Sequence, residues 1–196
     1  MLEDLSEWSP GADPVEVVGV YADLHARFVG VAEHRWPWLR RAGVGAELVG
    51  ELYDRAWPAI SGRHDLSPRV RRFGSEMVGH VAGAERTRGG DGRLTLVHGD
   101  ASGRNQRTSP TGEIVFLDWE DVGLSDGIAD IAWFLVSSVA PERWREVIDA
   151  YPDTSGLRAV LPAAMVQGLF SLSGTEDGSK DAHGWLQRLE AAASRL

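Results

Sequence analysis

Several residue types are missing or scarce in this chain of 196 residues, and each absence excludes a class of protein. The sequence has no cysteine, which excludes disulfides, thiolate metal sites and cysteine nucleophiles. It has no apolar run near the roughly 20 residues that a membrane span requires. It also does not open with a basic segment followed by an apolar one, as secretory signals do. We therefore expect a cytoplasmic protein with no membrane partner.

Basic residues are scarce as well, since 20 bases stand against 29 acids and the net charge is −9. A nucleic acid partner requires a basic face, so this balance argues against one. The sequence has a single lysine, Lys180, and its other bases are arginines. A mechanism that needs a lysine in the first half of the chain is therefore excluded.

The composition is otherwise that of an ordinary globular protein, with 43% hydrophobic and 25% charged residues, enough for one core. We treat residues 1–196 as one domain or lobe. Apolar residues at helical spacing predict helices that begin near Asp13-Pro14, Leu48, Ser67-Pro68, Asp126, Trp144, Leu157 and Asp181. The helix that begins at Ser67-Pro68 is expected to continue through Val81 and to be followed by a polar loop at 85–93. Asp181 is expected to cap the last helix.

The middle of the chain predicts short strands instead. Residues 94–97 are strand-like, and 105–108 and 113–117 flank the turn Ser109-Pro110-Thr111-Gly112. If Ser109 pairs with Glu113, Asn105 lies opposite Leu117, so Asn105 and Asp118 leave the hairpin at the same end. The predicted fold class is mainly α (α+β), a helical body with a small β-hairpin.

Three oxygen-bearing side chains could meet at that end of the hairpin: Asp100, Asn105 and Asp118. Magnesium prefers oxygen ligands and is usually held by one or two carboxylates plus substrate phosphates. A further carboxylate that stays off the metal can orient a hydroxyl and accept its proton as it attacks phosphorus. The alternative is that Asp and Asn occupy these positions because turns favour them.

The motif His98-Gly99-Asp100, then four residues, Asn105, and an apolar strand ending in Asp118-Trp119 resembles the catalytic segment of aminoglycoside phosphotransferases and their choline-kinase-like relatives. The similarity continues through residues 123–132 and includes the helix around 24–28. Leu2-Glu3-Asp4-Leu5, within residues 1–11, resembles the hinge of the family. The resemblance implies the helical C-lobe of a protein-kinase-like fold. It also implies transfer of the γ-phosphate of ATP to a small-molecule hydroxyl, with a cationic natural product or antibiotic as one acceptor class.

By this resemblance Asp100 is the catalytic base, and Asn105 and Asp118 hold Mg²⁺. In the hinge-like segment, Glu3 and Leu5 would contact the nucleotide. The candidate substrate-binding residues are Glu120, Asp121 and Arg104, although all three also suit solvated surface positions. Structural roles, in the loop and at a helix, fall to His98, Asp126 and Asp130.

The pattern departs from the family at its N-terminal side. Kinases use a glycine-rich phosphate cover and a strand lysine, whereas here the hinge-like residues come first and Lys180 lies downstream of both metal positions. We therefore expect a C-lobe without an N-lobe, with a partner chain or a homodimer covering the vacant face. Three functions remain open: a phosphotransferase C-lobe that works with a separately supplied N-lobe or is a fragment of a longer enzyme, an ATP-independent acid–base enzyme, and a non-catalytic, pseudokinase-like binding module.

Overall fold

Helices make up most of residues 5–90 and 94–196, which are the residues that this computed structural model describes. They are α1 (Pro14–Phe28), α2 (Ala32–Arg35), α3 (Ala46–Ser61), α4 (Pro68–Met77), α5 (Val81–Thr87), α6 (Ile128–Ser137), α7 (Trp144–Ala150), α8 (Leu157–Ser173) and α9 (Lys180–Ala193). The strands are β1 (Ser9–Pro10), β2 (Arg40–Arg41), β3 (Thr95–Val97), β4 (Gln106–Thr108), β5 (Ile114–Phe116) and β6 (Gly123–Ser125). Among the described helices, none combines the length and the apolar character that a membrane crossing needs.

Local capping chemistry sets where the helices begin. The side chain of Asp13 accepts the N–H of Val15, and that of Ser67 accepts the N–H of Val70, with a proline next in each case. The last helix forms as predicted, but the predicted cap is wrong, because Ser179, not Asp181, caps α9. Asp181 already lies in the first turn, where a negative charge interacts favourably with the helix dipole.

The helix predicted to run from Ser67 through Val81 is two helices. Backbone dihedrals leave the helical region at Val78, and Gly79 follows with a φ of +74°, which glycine adopts at little cost. Helix α5 then extends to Thr87, into the first part of the predicted polar loop. Its Glu85 is buried and pairs with Arg88 at 3.2 Å, so this polar stretch begins as a helix.

The single predicted hairpin belongs to one of two three-stranded sheets. The first has the antiparallel order β1-β4-β5, with Gln106 opposite Phe116, and the N–H of Ser109 donates to the carbonyl of Glu113 at 2.8 Å. This is the predicted hairpin register. The second sheet has the order β2-β6-β3, in which β2 is parallel to β6. The sequence does not predict strands β1, β2 and β6, because a strand of two or three residues is too short to show alternating apolar and polar residues.

The core lies around α6 and α8, which are apolar on nearly every side. Ile131 and Phe134 of α6 and Met165 and Leu169 of α8 are almost fully buried in one cluster. Some large apolar side chains are instead exposed. Leu48 and Leu52 of α3 are 60% and 48% exposed, and Trp38 is 72% exposed.

Candidate active site

The end of the β4–β5 hairpin brings the predicted site residues together. The N–H of Leu117 donates to the carbonyl of Asn105 at 2.8 Å, so Asn105 and Asp118 lie at the same end. The amide nitrogen of Asn105 donates to the Asp100 carboxylate at 2.9 Å and to its carbonyl at 3.1 Å. Asn105 is buried, and its contacts with Asp100 and Leu117 link the loop at 98–104 to the strands.

The Asp100 carboxylate is held on both oxygens. Its Oδ1 accepts the indole N–H of Trp133 at 2.6 Å, and its Oδ2 accepts from Asn105 and from Arg104, the latter at 3.2 Å. Burial raises the pKa of Asp100, but the hydrogen bonds from Trp133, Arg104 and Asn105 and the charge of Arg104 outweigh it, so the pKa lies below its usual value. The side chain is 14% exposed and ionised at neutral pH, as a base must be.

Asp118 adopts a backbone conformation that is rare for aspartate. Its φ of 61° and ψ of 65° are left-handed, and among the described residues it is the only one other than glycine with a positive φ. Its side chain is exposed at the hairpin end. Strain of this kind persists where the surrounding structure enforces it, frequently at functional sites.

The donor atoms at the hairpin end suit a hard cation. The amide nitrogen of Asn105 donates to Asp100, so its amide oxygen is the atom that a cation could contact, and the hairpin register places Asp118 at the same end. Two protein oxygens of this kind, completed by water and phosphate, match what magnesium accepts. Within residues 5–90 and 94–196, no group of three or more His, Cys, Asp or Glu side chains could hold a metal ion by itself.

Asp130 of α6 anchors the backbone of the segment that carries Asp100. Its Oδ2 accepts the N–H of His98 at 2.7 Å, and its Oδ1 accepts that of Gly99 at 3.0 Å. The Nε2 of His25 on α1 lies 3.2 Å from the same carboxylate. His98, fully buried, also connects to the hairpin through its Nε2, 2.9 Å from the Leu117 carbonyl. Loop and hairpin are therefore fixed to one helix.

Gly99 allows the loop to approach residues 119–121 closely. Its φ is +87°, and a Cβ there would lie 2.1 Å from the carbonyl oxygen of Asp121. No side chain larger than hydrogen fits that gap. The approach places Asp121 beside the residue that precedes Asp100.

Two separate cavities are lined by residues close to Asp100 in the chain, Gly99 in one and Ser102 in the other. Glu120 and Asp121 line a cleft of about 490 Å³, which shares Gly99 and Asp121 with an adjoining space of about 310 Å³. Arg104 instead lines a smaller cavity of about 100 Å³ with Trp133 and Trp185. The three predicted substrate residues are thus divided between two cavities.

The remaining predicted residues line none of these cavities or lie outside the described part of the chain. Asp126 accepts the N–H of Ile128 at 3.2 Å, at the start of α6. Leu5 lies in a turn, where its carbonyl accepts the N–H of Trp8 at 3.0 Å. The predicted nucleotide contact at Glu3 lies outside the described residues.

Two residues at the site have no role in the sequence-based prediction. Trp133 binds the Asp100 carboxylate directly, and His25 contacts Asp130. Trp133 follows Asp130 by three residues, a spacing that places both on one face of a helix and could have identified it. His25 contacts a residue 105 positions away, which sequence spacing does not predict.

Comparisons with known proteins identify a family and a fold. Residues 54–165 match the model of a phosphotransferase enzyme family. Choline kinase LicA from Streptococcus pneumoniae is similar at a TM-score of 0.56 and 14% identity, over 98% of this chain and 69% of that one. A structure of LicA in complex with AMP is similar to the same degree.

Two further solved structures have the same fold. A choline/ethanolamine kinase family protein from Mesorhizobium loti has a TM-score of 0.59 and 15% identity, over 97% of this chain and 70% of that one. The spectinomycin phosphotransferase APH(9)-Ia, in complex with ADP and spectinomycin, has a TM-score of 0.51 and 15% identity, over 95% and 66% of the two chains. The chain thus has a mainly helical, kinase-like fold that spans about two thirds of each of these proteins.

Proposed function

Because this chain belongs to the phosphotransferase enzyme family, we propose that it transfers the γ-phosphate of ATP to a hydroxyl group of a small molecule, in the cytoplasm. The family resemblance of the His98–Asp100 motif is thereby confirmed, and small-molecule phosphotransferase activity follows from it. The proposal of transfer from ATP to a hydroxyl group depends mainly on the Asp100 carboxylate, which is ionised and accepts hydrogen bonds on both oxygens, one of them from Asn105.

Asp100 acts as the base in this proposal. Its carboxylate orients the acceptor hydroxyl and takes up its proton as the oxygen attacks phosphorus. Asn105 and Asp118 would hold Mg²⁺, which neutralises charge on the phosphates when bound. The anchoring of the loop by Asp130 keeps Asp100 in place, and positioning is most of what phosphoryl transfer requires of a protein.

We place the acceptor in the 490 Å³ cleft beside Gly99, where Glu120 and Asp121 would receive a cationic group. The volume suits a small molecule. The similar structures include kinases named for choline and ethanolamine and a phosphotransferase bound to spectinomycin. A hydroxylated amine is therefore the acceptor class to test first.

Kinases align the phosphates of the nucleotide with a lysine, and the residues proposed above include no lysine. The one lysine, Lys180, stands exposed at the start of α9. The aligning cation would come from an arginine of this chain or from an N-lobe, which a partner chain or a longer protein that contains this sequence would supply.

The proposal is tested by comparing the unmodified chain with Asp100→Asn and with Asp181→Asn, which makes the same chemical change on an exposed turn of α9. Each protein is incubated with ATP, Mg²⁺ and a panel of hydroxylated amines, and phosphorylated products are followed by ³¹P NMR. We expect Asp100→Asn to lower turnover by about a hundredfold or more, and Asp181→Asn to leave it unchanged.

Other outcomes separate the alternatives. Equal turnover by Asp100→Asn would contradict the assignment of the base. If calorimetry detects no nucleotide binding but another activity is lost in Asp100→Asn, an ATP-independent acid–base enzyme is favoured. If there is no activity and the chain has a stable protein partner, a binding module is favoured.

A further inference from the structure

The two oxygens of Asp100 have donors of very different character. Oδ2 is bound by Asn105, a proposed metal ligand, and by Arg104, whose side chain is 75% exposed. Oδ1 is bound by Trp133, which is 3% exposed, at 2.6 Å. An indole N–H can only donate and does not titrate in the physiological range. Trp133 is therefore the one rigid, permanent donor to Oδ1 among the described residues.

Trp133 is itself fixed from two directions. It lies on α6 one turn after Asp130, which holds the backbone of the loop. Its ring stacks on that of Trp185 from α9, with centroids 5.9 Å apart. The guanidinium of Arg188 covers the Trp185 ring at 4.9 Å, and its Nε donates at 2.8 Å to the carbonyl of Val136, back on α6. The two tryptophans are thus packed between α6 and α9, and Arg188 connects the two helices.

We propose that Trp133 is a positioning residue that fixes the orientation of the Asp100 carboxylate, and that Trp185 and Arg188 hold Trp133 in place. The inference rests on the proposed function of Asp100 as the base. A carboxylate bound only at Oδ2 could rotate about its Cβ–Cγ bond. The indole N–H at Oδ1 stops that rotation, so the remaining lone pairs keep one direction for the acceptor hydroxyl.

The kinetic test compares Trp133→Phe with Trp144→Phe. Phenylalanine keeps an aromatic ring but removes the N–H. Trp144 is a matched control, because it is also fully buried and donates its indole N–H, at 2.9 Å to the carbonyl of Val139, away from the site. We expect Trp133→Phe to lower kcat about tenfold with the KM for ATP unchanged, since binding groups are untouched. Trp144→Phe should keep the original kcat. Equal kcat values in both variants would overturn the proposal.

A spectroscopic test needs neither turnover nor a folded Trp133 variant. In a ¹H–¹⁵N spectrum of the labelled chain, each of the 8 tryptophans gives one indole resonance. Asp100→Asn should move the Trp133 indole resonance and leave that of Trp144 in place, because a charge-assisted bond is lost only at Trp133. An unmoved Trp133 resonance would overturn the proposal. If the unmodified chain transfers no phosphate but this resonance moves, the proposed function fails and the contact between Trp133 and Asp100 stands.

Discussion

At the scale of single residues, the site depends on two left-handed backbone positions. Gly99 needs its φ of +87° so that the loop can reach residues 119–121. Asp118 pays for a φ of 61° with about 1–2 kcal/mol of steric strain, which a glycine would avoid. An aspartate therefore occupies a position where the backbone favours glycine, and strain of this kind is frequent at functional sites.

Gly99→Ala tests the close approach, with Gly112→Ala as its control. Both glycines have nearly the same φ, +87° and +88°, but a Cβ at Gly112 meets nothing within 4 Å. Both variants lose backbone freedom, and only Gly99→Ala adds a collision with the Asp121 carbonyl. We expect the free energy of unfolding in urea to fall by about 1–3 kcal/mol more for Gly99→Ala than for Gly112→Ala. Equal losses would show that the loop relaxes without cost.

At the scale of elements, α6 is the platform of the site. Asp130 and Trp133, three residues apart, hold the loop backbone and the Asp100 side chain, while Ile131 and Phe134 face the core. A helix buried on nearly all sides has little freedom to shift. Because α6 is fixed in the core, Asp130 and Trp133 hold the loop and the Asp100 carboxylate in place.

Packing between α3 and α4 depends on a glycine that lies against a ring. A Cβ at Gly74 would lie 2.1 Å from the ring of Trp57, whereas one at Gly19, in the middle of α1, meets nothing within 4 Å. We expect Gly74→Ala to destabilise the protein by about 1–3 kcal/mol through overpacking. Gly19→Ala should stabilise it by about 0.5–1 kcal/mol, because alanine favours helix. Thermal and urea unfolding would measure both, and a stabilising Gly74→Ala would contradict the observed contact.

At the scale of the whole molecule, Arg63 joins the segment after α3 to the segment after α8. It is buried, with Asp65 at 2.8 Å and Asp177 at 2.9 Å, and it donates to the carbonyls of Leu172 and Thr175. Hydrogen bonding to Arg63 holds the pKa of Asp65 below its ordinary value of 3.8, although burial opposes this, and the N–H of Gly178 adds to the lowering. A charged group therefore stabilises the contact between distant parts of the chain.

The stability that Asp65 contributes should be lost in acid. Its folded pKa lies below the unfolded one, so the contribution is complete above about pH 4 and disappears as the pH falls through the folded value. Asp65→Asn should cost about 3 kcal/mol of unfolding free energy at pH 7, and the difference from the unmodified chain should shrink toward pH 3. Asp149→Asn, in an exposed pair with Arg145, should change little at either pH. A difference for Asp65→Asn that stays constant from pH 7 to pH 3 would contradict this account.

The sequence by itself determined the helical body, the hairpin register and the family. These follow from local patterns: Asp13 and Ser67 before prolines, apolar spacing of three and four, and a turn that pairs Ser109 with Glu113. It also brought Asn105 and Asp118 to one end of the hairpin, because register alone decides that.

Only the tertiary structure decided what holds the Asp100 carboxylate and its loop. Trp133, which donates to Oδ1 of Asp100, lies 33 positions from it, and His25, which contacts Asp130, lies 105 positions from that residue. The short strands β1, β2 and β6 exist because neighbouring chain segments pair with them. Contacts between distant segments leave no repeating pattern in the sequence from which they could be predicted, since they depend on how the helices pack around the core.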